Sequence, residues 1–291
     1  MVKITDHIGF IEAPNKARFP YCHCLLIDDE MRVLMDTSCG DEKLRELIKS
    51  PIDVIVNTHF HEDHILGNYR FPDAEVWIHT LDAPGARTLT GFKEYYGFSE
   101  FNGDAIGQAF IESIDLHASP VHREFADREV LDFGRTKLQV IHTPGHTPGH
   151  CAFYEGENGL LFVGDIDLSS FGPWYAHRCS DIDEFIKSIH RCAEIDPRIV
   201  VSSHKGIITD NIQGRLKAYE EVIYRKEEEI IEALKVPSTA EELAAQQIIY
   251  GKKHTLDEFM MWFEKMSVLQ HLQRLVKNKR AAVADGRYYL I

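Results

Sequence analysis

The chain has 291 residues, 44% of them hydrophobic, which is enough to bury the core of one large domain or of one domain with a small appendage. Its 32 basic and 46 acidic residues give a formal charge of −14, which disfavours nucleic acid as a partner and favours a small-molecule substrate. The sequence lacks the run of roughly 20 apolar residues that a membrane helix needs, and residues 1–10 lack the features of a signal peptide, so we expect a cytoplasmic protein. Its six cysteines are too scattered to predict a disulfide framework.

Short apolar runs and helical stretches alternate along the first two thirds of the chain, which predicts an α/β fold built in layers. The predicted strands are residues 24–27, 33–36, 53–57, 76–79, 130–133, 138–142, 151–154, 160–163 and 199–202, and the predicted helices are residues 42–49, 182–192 and 211–234. Residues 89–117 interrupt the alternation with aromatic residues and glycines. We keep two interpretations of this segment: an insertion over a pocket, or a loop that packs its aromatic side chains on the core.

The C-terminal part of the chain has a different pattern and a different charge. Its predicted elements are helices at residues 239–245, 256–263 and around 269–276, then a hairpin with its turn at residues 285–286. From Arg225 onward, 11 basic and 10 acidic residues nearly cancel, whereas 21 basic and 36 acidic residues precede it. We therefore predict two domains, residues 1–222 and residues 223–291. Helices followed by a hairpin indicate a winged-helix domain for the second.

A dense cluster of imidazole and carboxylate side chains follows the apolar residues 54–56. The run reads Thr58-His59-Phe60-His61-Glu62-Asp63-His64. A single histidine at a strand end is usually structural, but His59, His61, Asp63 and His64 offer four candidate ligands within six residues. Imidazole and carboxylate are ligands that zinc prefers, and they must converge because first-row divalent metals bind in defined geometries. The run therefore predicts a metal site.

Three further candidates follow other predicted strands. His146 lies in the turn Thr143-Pro144-Gly145-His146, whose glycine and proline can aim an imidazole inward. Asp165 comes after the apolar run 160–163, where a buried charge is costly unless it is paired or bound to a metal. His204 lies just beyond the predicted strand 199–202. Four strand-end motifs in this order predict one site at one edge of the sheets.

With these motifs, residues 1 to about 220 resemble the metallo-β-lactamase superfamily, whose pattern is an H-x-H-x-D-H run followed by a histidine, an aspartate and a final histidine. The resemblance implies an αββα sandwich of two mixed sheets with the metals at one edge. It also implies the ligand roles: His59, His61 and His146 would bind the first metal, Asp63, His64 and His204 the second, and Asp165 would bridge both. We expect two zinc ions, with iron or manganese as alternatives.

Other histidines and cysteines are less clearly assigned. We expect His150 to support the ligands from outside the metal site. His177 is interpreted either as a substrate contact or as a surface histidine. The alternation in Cys22-His23-Cys24 suits a strand better than a zinc site, because no matching pair follows at zinc-finger spacing.

The C-terminal residues resemble the winged-helix domain of a metallo-β-lactamase-like subgroup that includes a mitochondrial endoribonuclease and fungal polyketide thioesterases. A recognition helix that reads DNA should present a basic face, but Lys277, Lys279 and Arg280 are the only local cluster there, so we expect the domain to pack on the catalytic domain and narrow the entrance rather than bind DNA. A role limited to stabilising the fold or a homodimer stays open.

The predicted function is metal-dependent hydrolysis. A hydroxide held between two metals would attack the substrate, and Asp63 would orient it. The favoured substrate is a thioester or related acyl bond, as in glyoxalase II-like enzymes. The alternatives are a single-strand endoribonuclease, a lactone hydrolase, an iron-dependent persulfide dioxygenase and a non-enzymatic binding protein. The last is disfavoured because all seven candidate ligands are present.

Overall fold

The computed structural model describes residues 1–252 and 255–291, so residues 253 and 254 of the predicted C-terminal domain lie outside the described residues. Its fifteen described strands are β1 (Val2–Lys3), β2 (Ile8–Ile11), β3 (Cys24–Asp28), β4 (Arg32–Met35), β5 (Val54–Val56), β6 (Glu75–His79), β7 (Arg123–Phe125), β8 (Val130–Asp132), β9 (Lys137–His142), β10 (Cys151–Glu155), β11 (Leu160–Phe162), β12 (Ile199–Ser202), β13 (Gly206–Ile208), β14 (Ala281–Ala284) and β15 (Arg287–Leu290).

Within the described residues these strands form two large sheets and one hairpin. The first sheet has seven strands in the order β1-β2-β3-β4-β5-β6-β7 and is parallel from β4 to β7. The second has six strands in the order β13-β12-β11-β10-β9-β8, in which only β11 and β12 run parallel. The hairpin pairs β14 with β15.

The described α-helices are α1 (Asp41–Leu47), α2 (Glu62–Ile65), α3 (Ala83–Arg87), α4 (Leu89–Tyr96), α5 (Asp104–Ser113), α6 (Ile182–Ile195), α7 (Ile212–Ala233), α8 (Ala240–Ala244) and α9 (Glu258–Lys277).

The two large sheets pack face to face, and helices cover their outer faces. Side chains alternate along each strand, so Leu25 of β3 points into the core between the sheets, where Phe153 of β10 also lies. Leu26 points to the opposite face and packs in a cluster with Leu44 of α1. On the far side, the outer face of the second sheet packs against α6 and α7. The predicted mixed αββα sandwich is confirmed.

The segment 89–117 combines both of its predicted interpretations. It forms helices α4 and α5 instead of a loop; the side chain of Thr88 caps α4 by accepting a hydrogen bond from the Gly91 N–H. Tyr96 and Phe110 are buried in a large apolar cluster, and both also line a cavity. The segment is therefore an insertion that packs on the core and borders a pocket.

The C-terminal part contains α8, α9 and the hairpin, and a β-bridge joins Ser238 to Tyr288 of β15. The prediction of separate helices at 256–263 and 269–276 is wrong, because α9 is one helix of 20 residues. No Pro or Gly interrupts residues 256–277, so nothing in the chain breaks the helix. The predicted boundary between residues 222 and 223 falls inside α7, which both parts share. The described helices include none with the length and apolar content needed to span a membrane.

Candidate metal centre

The seven predicted ligands come from segments that follow four strands, and Asp63 and His64 lie on the short helix α2. The run from His59 to His64 follows β5, and His146 follows β9; Asp165 and His204 follow the adjacent parallel strands β11 and β12. Gly145 is in the left-handed region, and a Cβ there would lie 2.2 Å from the backbone nitrogen of Phe185, so glycine allows the turn before His146 to pack against α6. The structure brings all seven side chains together at one edge of the two sheets.

The potential ligand atoms of these seven residues form two groups. The first group contains His59, His61, His146 and Asp165, and the second contains Asp63, His64 and His204. Within each group, every potential ligand atom lies within 4.8 Å of the others. This spacing would allow each group to surround one ion.

Asp165 lies between the two groups. Its Oδ2 is 3.3 Å from Nε2 of His146, while its Oδ1 is 3.0 Å from Nε2 of His64 and 3.3 Å from Nε2 of His204. Asp63 contacts only the second group, with Oδ2 3.6 Å from Nε2 of His204. One carboxylate oxygen of Asp165 therefore faces each group.

In each of the five histidines among these ligands, one ring nitrogen has a hydrogen-bond partner within the protein. The partners are Thr58 Oγ1 for His59 Nδ1 at 2.9 Å, His177 Nε2 for His61 Nε2 at 2.9 Å, Asp36 Oδ2 for His64 Nδ1 at 2.8 Å, the Trp174 carbonyl for His146 Nδ1 at 2.8 Å and the Ala17 carbonyl for His204 Nδ1 at 2.7 Å. Such outer contacts fix the tautomer and the orientation of metal-binding imidazoles. They leave Nδ1 of His61 and Nε2 of the other four histidines for a metal.

Two buried atoms at the centre of the site indicate that its residues fit a cation. Nε2 of His64 and Oδ1 of Asp165 are buried and make no hydrogen bond among the described residues, although they lie only 3.0 Å apart. Buried polar atoms without a partner are costly, and native proteins rarely leave them so. A divalent cation between nitrogen and oxygen donors would satisfy both atoms, and this donor set suits first-row metals.

The protonation of the first group also suits a metal. Burial lowers the pKa of His59 and His61 well below the usual range, and the neighbouring imidazoles lower it further. Both rings are therefore neutral at pH 7, the state in which an imidazole binds a metal. Burial raises the pKa of Asp165, but His64 and His204 outweigh this effect and hold the pKa well below its usual range.

Sequence reasoning missed Asp36, which lies one residue beyond β4. Its carboxylate accepts hydrogen bonds from the Thr58 N–H at 2.9 Å and the Thr58 hydroxyl at 2.9 Å, and it faces Nδ1 of His64. The available signal was an acid directly after the apolar run 33–35, the same pattern that identified Asp165. Asp36 therefore orients His64 and holds the start of the loop that carries His59 and His61.

Asp82 is the second missed residue, and it joins two ligand-bearing loops. It accepts hydrogen bonds from the Phe60 N–H at 3.1 Å, the Thr147 hydroxyl at 2.6 Å and the Gly149 N–H at 2.6 Å. Phe60 lies between His59 and His61, while Thr147 follows His146. The carboxylate of Asp82 therefore connects the loop of His59 and His61 to the loop of His146 and fixes their relative positions.

The remaining histidines take distinct positions. Nε2 of His150 accepts a hydrogen bond from the Asp165 N–H at 3.0 Å, so this ring lies beside the two ligand groups. Burial lowers the pKa of His150 to about 3, so the ring is neutral. His177 is fully buried, so its interpretation as a surface histidine is wrong; it contacts His61. In the Cys22-His23-Cys24 run, Cys24 begins β3 as predicted. Cys22 lies near Asp36 and His64, whose facing atoms already pair with each other.

A cavity of about 340 Å³ opens beside both groups. His61, Asp63, His146, Asp165 and His204 line one side of it. Its other lining includes aromatic side chains from the insertion and from the C-terminal helix α9, and none of its described lining residues is Lys or Arg. The candidate ligands therefore face a small and largely apolar space.

A mixed sheet sandwich with histidine and aspartate groups at its edge defines the class of metallohydrolases with a metallo-β-lactamase fold. Residues 17–204 match the family described as "Metallo-beta-lactamase superfamily". The match covers more than half of the chain, so the chain belongs to this superfamily.

The sequence identities to individual relatives are low. The chain is 25% identical over 285 residues to "Beta-lactamase-like protein 2 homolog" of Drosophila melanogaster, a match that covers 91% of this chain and 86% of that protein. It is 31% identical to a hydroxyacylglutathione hydrolase of Maricaulis maris, but that match covers 32% of this chain and 40% of the relative. An atrochrysone carboxyl ACP thioesterase of Pseudocercospora fijiensis is 23% identical, over 70% of this chain and 52% of that protein.

A solved structure extends the similarity of the fold to the whole chain. A metallo-beta-lactamase family protein from Thermus thermophilus superimposes with a TM-score of 0.80 at 22% identity, covering 99% of this chain and 100% of that one. At this identity the likeness establishes the fold alone. It includes the C-terminal part that follows the matched residues 17–204.

Proposed function

We propose that this protein is a dinuclear zinc hydrolase that cleaves a thioester or a related acyl bond. The observation that carries the proposal is the pair of ligand groups with Asp165 between them, next to a small apolar cavity. Hydrolysis by a metal centre belongs to the superfamily; the zinc ions, their number and the acyl substrate are our proposal.

The residues of the site would have separate roles in binding the cations and orienting the water molecule. His59, His61 and His146 would hold one cation, Asp63, His64 and His204 the second, and Asp165 would give one oxygen to each. When bound, such cations lower the pKa of a water molecule and polarise a carbonyl group. Asp63 lines the cavity, so its carboxylate would accept a hydrogen bond from the attacking water and orient it.

The cavity supports an acyl substrate over RNA. A protein that binds single-stranded RNA neutralises phosphates with Lys and Arg and offers a long groove for successive bases. Here the described lining contains neither residue type, and the volume of about 340 Å³ is at the lower end of the range for small-molecule sites. Two distant relatives are named as a hydroxyacylglutathione hydrolase and a thioesterase, which agrees with this choice.

We also propose that residues 223–291 form a winged-helix domain. The order of the C-terminal half of α7, then α8, α9 and the β14-β15 hairpin agrees with that assignment. Phe259 and Phe263 of α9 line the cavity, which supports a role at the entrance of the site.

Elemental analysis and a substrate panel would test the proposal together. We expect close to two divalent cations per chain, and turnover of a thioester in preference to lactone, phosphodiester and RNA substrates. Asp165→Ala serves as the inactive control. A fully loaded preparation with a single iron would refute the dinuclear zinc centre, and RNA cleavage without acyl hydrolysis would refute the choice of substrate.

A further inference from the structure

One side of the cavity is an aromatic wall assembled from three separate parts of the chain. Phe110 comes from α5 of the insertion, Trp174 from the loop before α6, and Phe259 and Phe263 from α9. The rings of Phe110 and Phe259 have centroids 4.5 Å apart, and those of Trp174 and Phe263 are 5.4 Å apart. These contacts hold the wall in place, because each ring packs against a ring from another element.

The polar groups on and beside this wall form hydrogen bonds within the protein. The indole Nε1 of Trp174 donates a hydrogen bond to the hydroxyl of Tyr250 at 2.9 Å, and the hydroxyl of Tyr96 donates to Glu62 at 2.6 Å. Both tyrosines line the cavity. With these groups paired, the wall offers carbon surface to a ligand and few free hydrogen-bonding groups.

Apart from the histidines of the candidate metal centre, the charged side chains in the described lining of the cavity are all acids. Its described lining contains the acids Glu62, Asp63, Asp165 and Asp167, with no Lys or Arg among the residues described. Asp63 and Asp165 are proposed metal ligands, whereas Glu62 accepts a hydrogen bond from the Tyr96 hydroxyl and Asp167 accepts one from the Ser169 N–H at 3.0 Å. A second anion placed against Phe110, Trp174, Phe259 and Phe263 would lose its hydration, and these four side chains offer it no cationic partner.

We propose that this wall, with Met260 beside Phe259 and Phe263, is the acyl-binding site and takes an uncharged apolar acyl group, alkyl or aryl. Acyl groups that end in a carboxylate or phosphate are rejected. This inference rests on the proposed acyl hydrolysis. In that reaction the oxygen of water forms a bond to the acyl carbon, the carbon–sulfur bond breaks, and the thiol leaves with a proton while the acid is released.

The first test compares acyl groups on one neutral thiol, N-acetylcysteamine. The hexanoyl and adipoyl thioesters have the same chain length and differ by a terminal carboxylate, and the 4-phenylbutanoyl thioester adds a ring. With the metal-loaded full-length protein, we expect kcat/KM for the hexanoyl and phenylbutanoyl substrates to exceed that for adipoyl at least about 10-fold. Equal or faster hydrolysis of the adipoyl thioester overturns the inference.

The second test changes the charge of the wall within the same protein. Met260→Lys places a cation in the lining and should raise the adipoyl-to-hexanoyl ratio of kcat/KM about 10-fold. Met261→Lys is the matched control, because Met261 is the next residue of α9 but does not line the cavity. This ratio is measured within one preparation, so a partial loss of folded protein does not change it. An unchanged ratio for Met260→Lys, or the same increase for Met261→Lys, overturns the assignment of the wall.

A binding measurement separates this inference from the proposed reaction. The ketone 6-phenylhexan-3-one resembles the phenylbutanoyl thioester but has no bond to cleave. Calorimetric titration should show binding that Met260→Lys weakens and Met261→Lys does not. If the ketone binds in this way but no thioester is cleaved, the apolar site stands and the acyl hydrolase proposal fails. If thioesters are cleaved but Met260→Lys does not weaken binding of the ketone, the proposal for the aromatic wall fails and the proposed acyl hydrolysis stands.

Discussion

Replacing Asp36 by asparagine tests whether the carboxylate behind His64 prepares the second ligand group. In the structure, Oδ2 of Asp36 lies 2.8 Å from Nδ1 of His64, and Oδ1 accepts a hydrogen bond from the Thr58 N–H at 2.9 Å. Asparagine has the same shape but only one acceptor oxygen. It can therefore accept from Thr58 or from His64, and its amide group would face the other donor without forming a hydrogen bond.

The expected cost follows from the loss of one outer hydrogen bond. Loss of such a partner lowers metal affinity about 10- to 100-fold. At about 1.4 kcal/mol per tenfold change, this equals a loss of about 1.4–2.7 kcal/mol in binding free energy. We expect the larger loss for the cation of the second group, because Asp36 contacts His64 directly but reaches His59 only through the Thr58 hydroxyl.

Competition with a graded series of chelators, followed by elemental analysis, would measure both affinities. Asp127→Asn is the matched control: Asp127 accepts hydrogen bonds from the His142 N–H and from Arg191, away from the two ligand groups. Thermal unfolding of the cation-free proteins would separate weak binding from a weakened fold. If Asp36→Asn keeps both cations at wild-type affinity, Asp36 does not orient His64 in the way argued above.

Three further predictions concern other residues. Asp165→Ala should lose both cations and all turnover while keeping its circular dichroism spectrum, and His150→Gln should cost less; near-normal activity of the alanine variant would remove Asp165 from the site. Lys226 is buried and has no hydrogen-bond partner among the described residues; burial lowers its pKa to about 7. The unfolded chain keeps that proton to a higher pH, so Lys226→Met should raise the free energy of unfolding most at or below pH 7 and less toward pH 10, and a gain that grows with pH would contradict this. Gly145→Ala should lower the stability in urea by about 3 kcal/mol or more, since its φ is +124° and its new Cβ would lie 2.2 Å from the nitrogen of Phe185; an unchanged midpoint would show that the loop adapts.

The candidate ligands could be identified from the sequence because their spacing is local. His59, His61, Asp63 and His64 are near neighbours in the chain, and the strand before them is a plain apolar run. His146, Asp165 and His204 follow apolar runs of the same kind, so the rule that strand ends meet at one sheet edge was sufficient to group them. The alternation of strands and helices predicted a layered α/β fold, and the two mixed sheets were implied by the resemblance to the superfamily.

The contacts that support the ligands could not be assigned in this way. Asp36 and His64 are 28 positions apart, and His61 and His177 are 116 apart, so no local pattern pairs them. The sequence left His177 between a substrate contact and a surface position; only packing places it behind His61. Long-range partners of this kind depend on which loops meet, and that depends on the whole fold.

The sequence by itself determined the class of the protein, because a metal site needs certain side chains and these occur in an ordered, dense pattern. The tertiary structure decided the shape and polarity of the cavity beside the candidate ligands. Phe110, Trp174 and Phe263 lie far apart in the chain and meet only where the insertion, the loop before α6 and helix α9 pack together. Local patterns identify the candidate metal ligands, whereas the wall of the cavity beside them is formed by segments that only folding brings into contact.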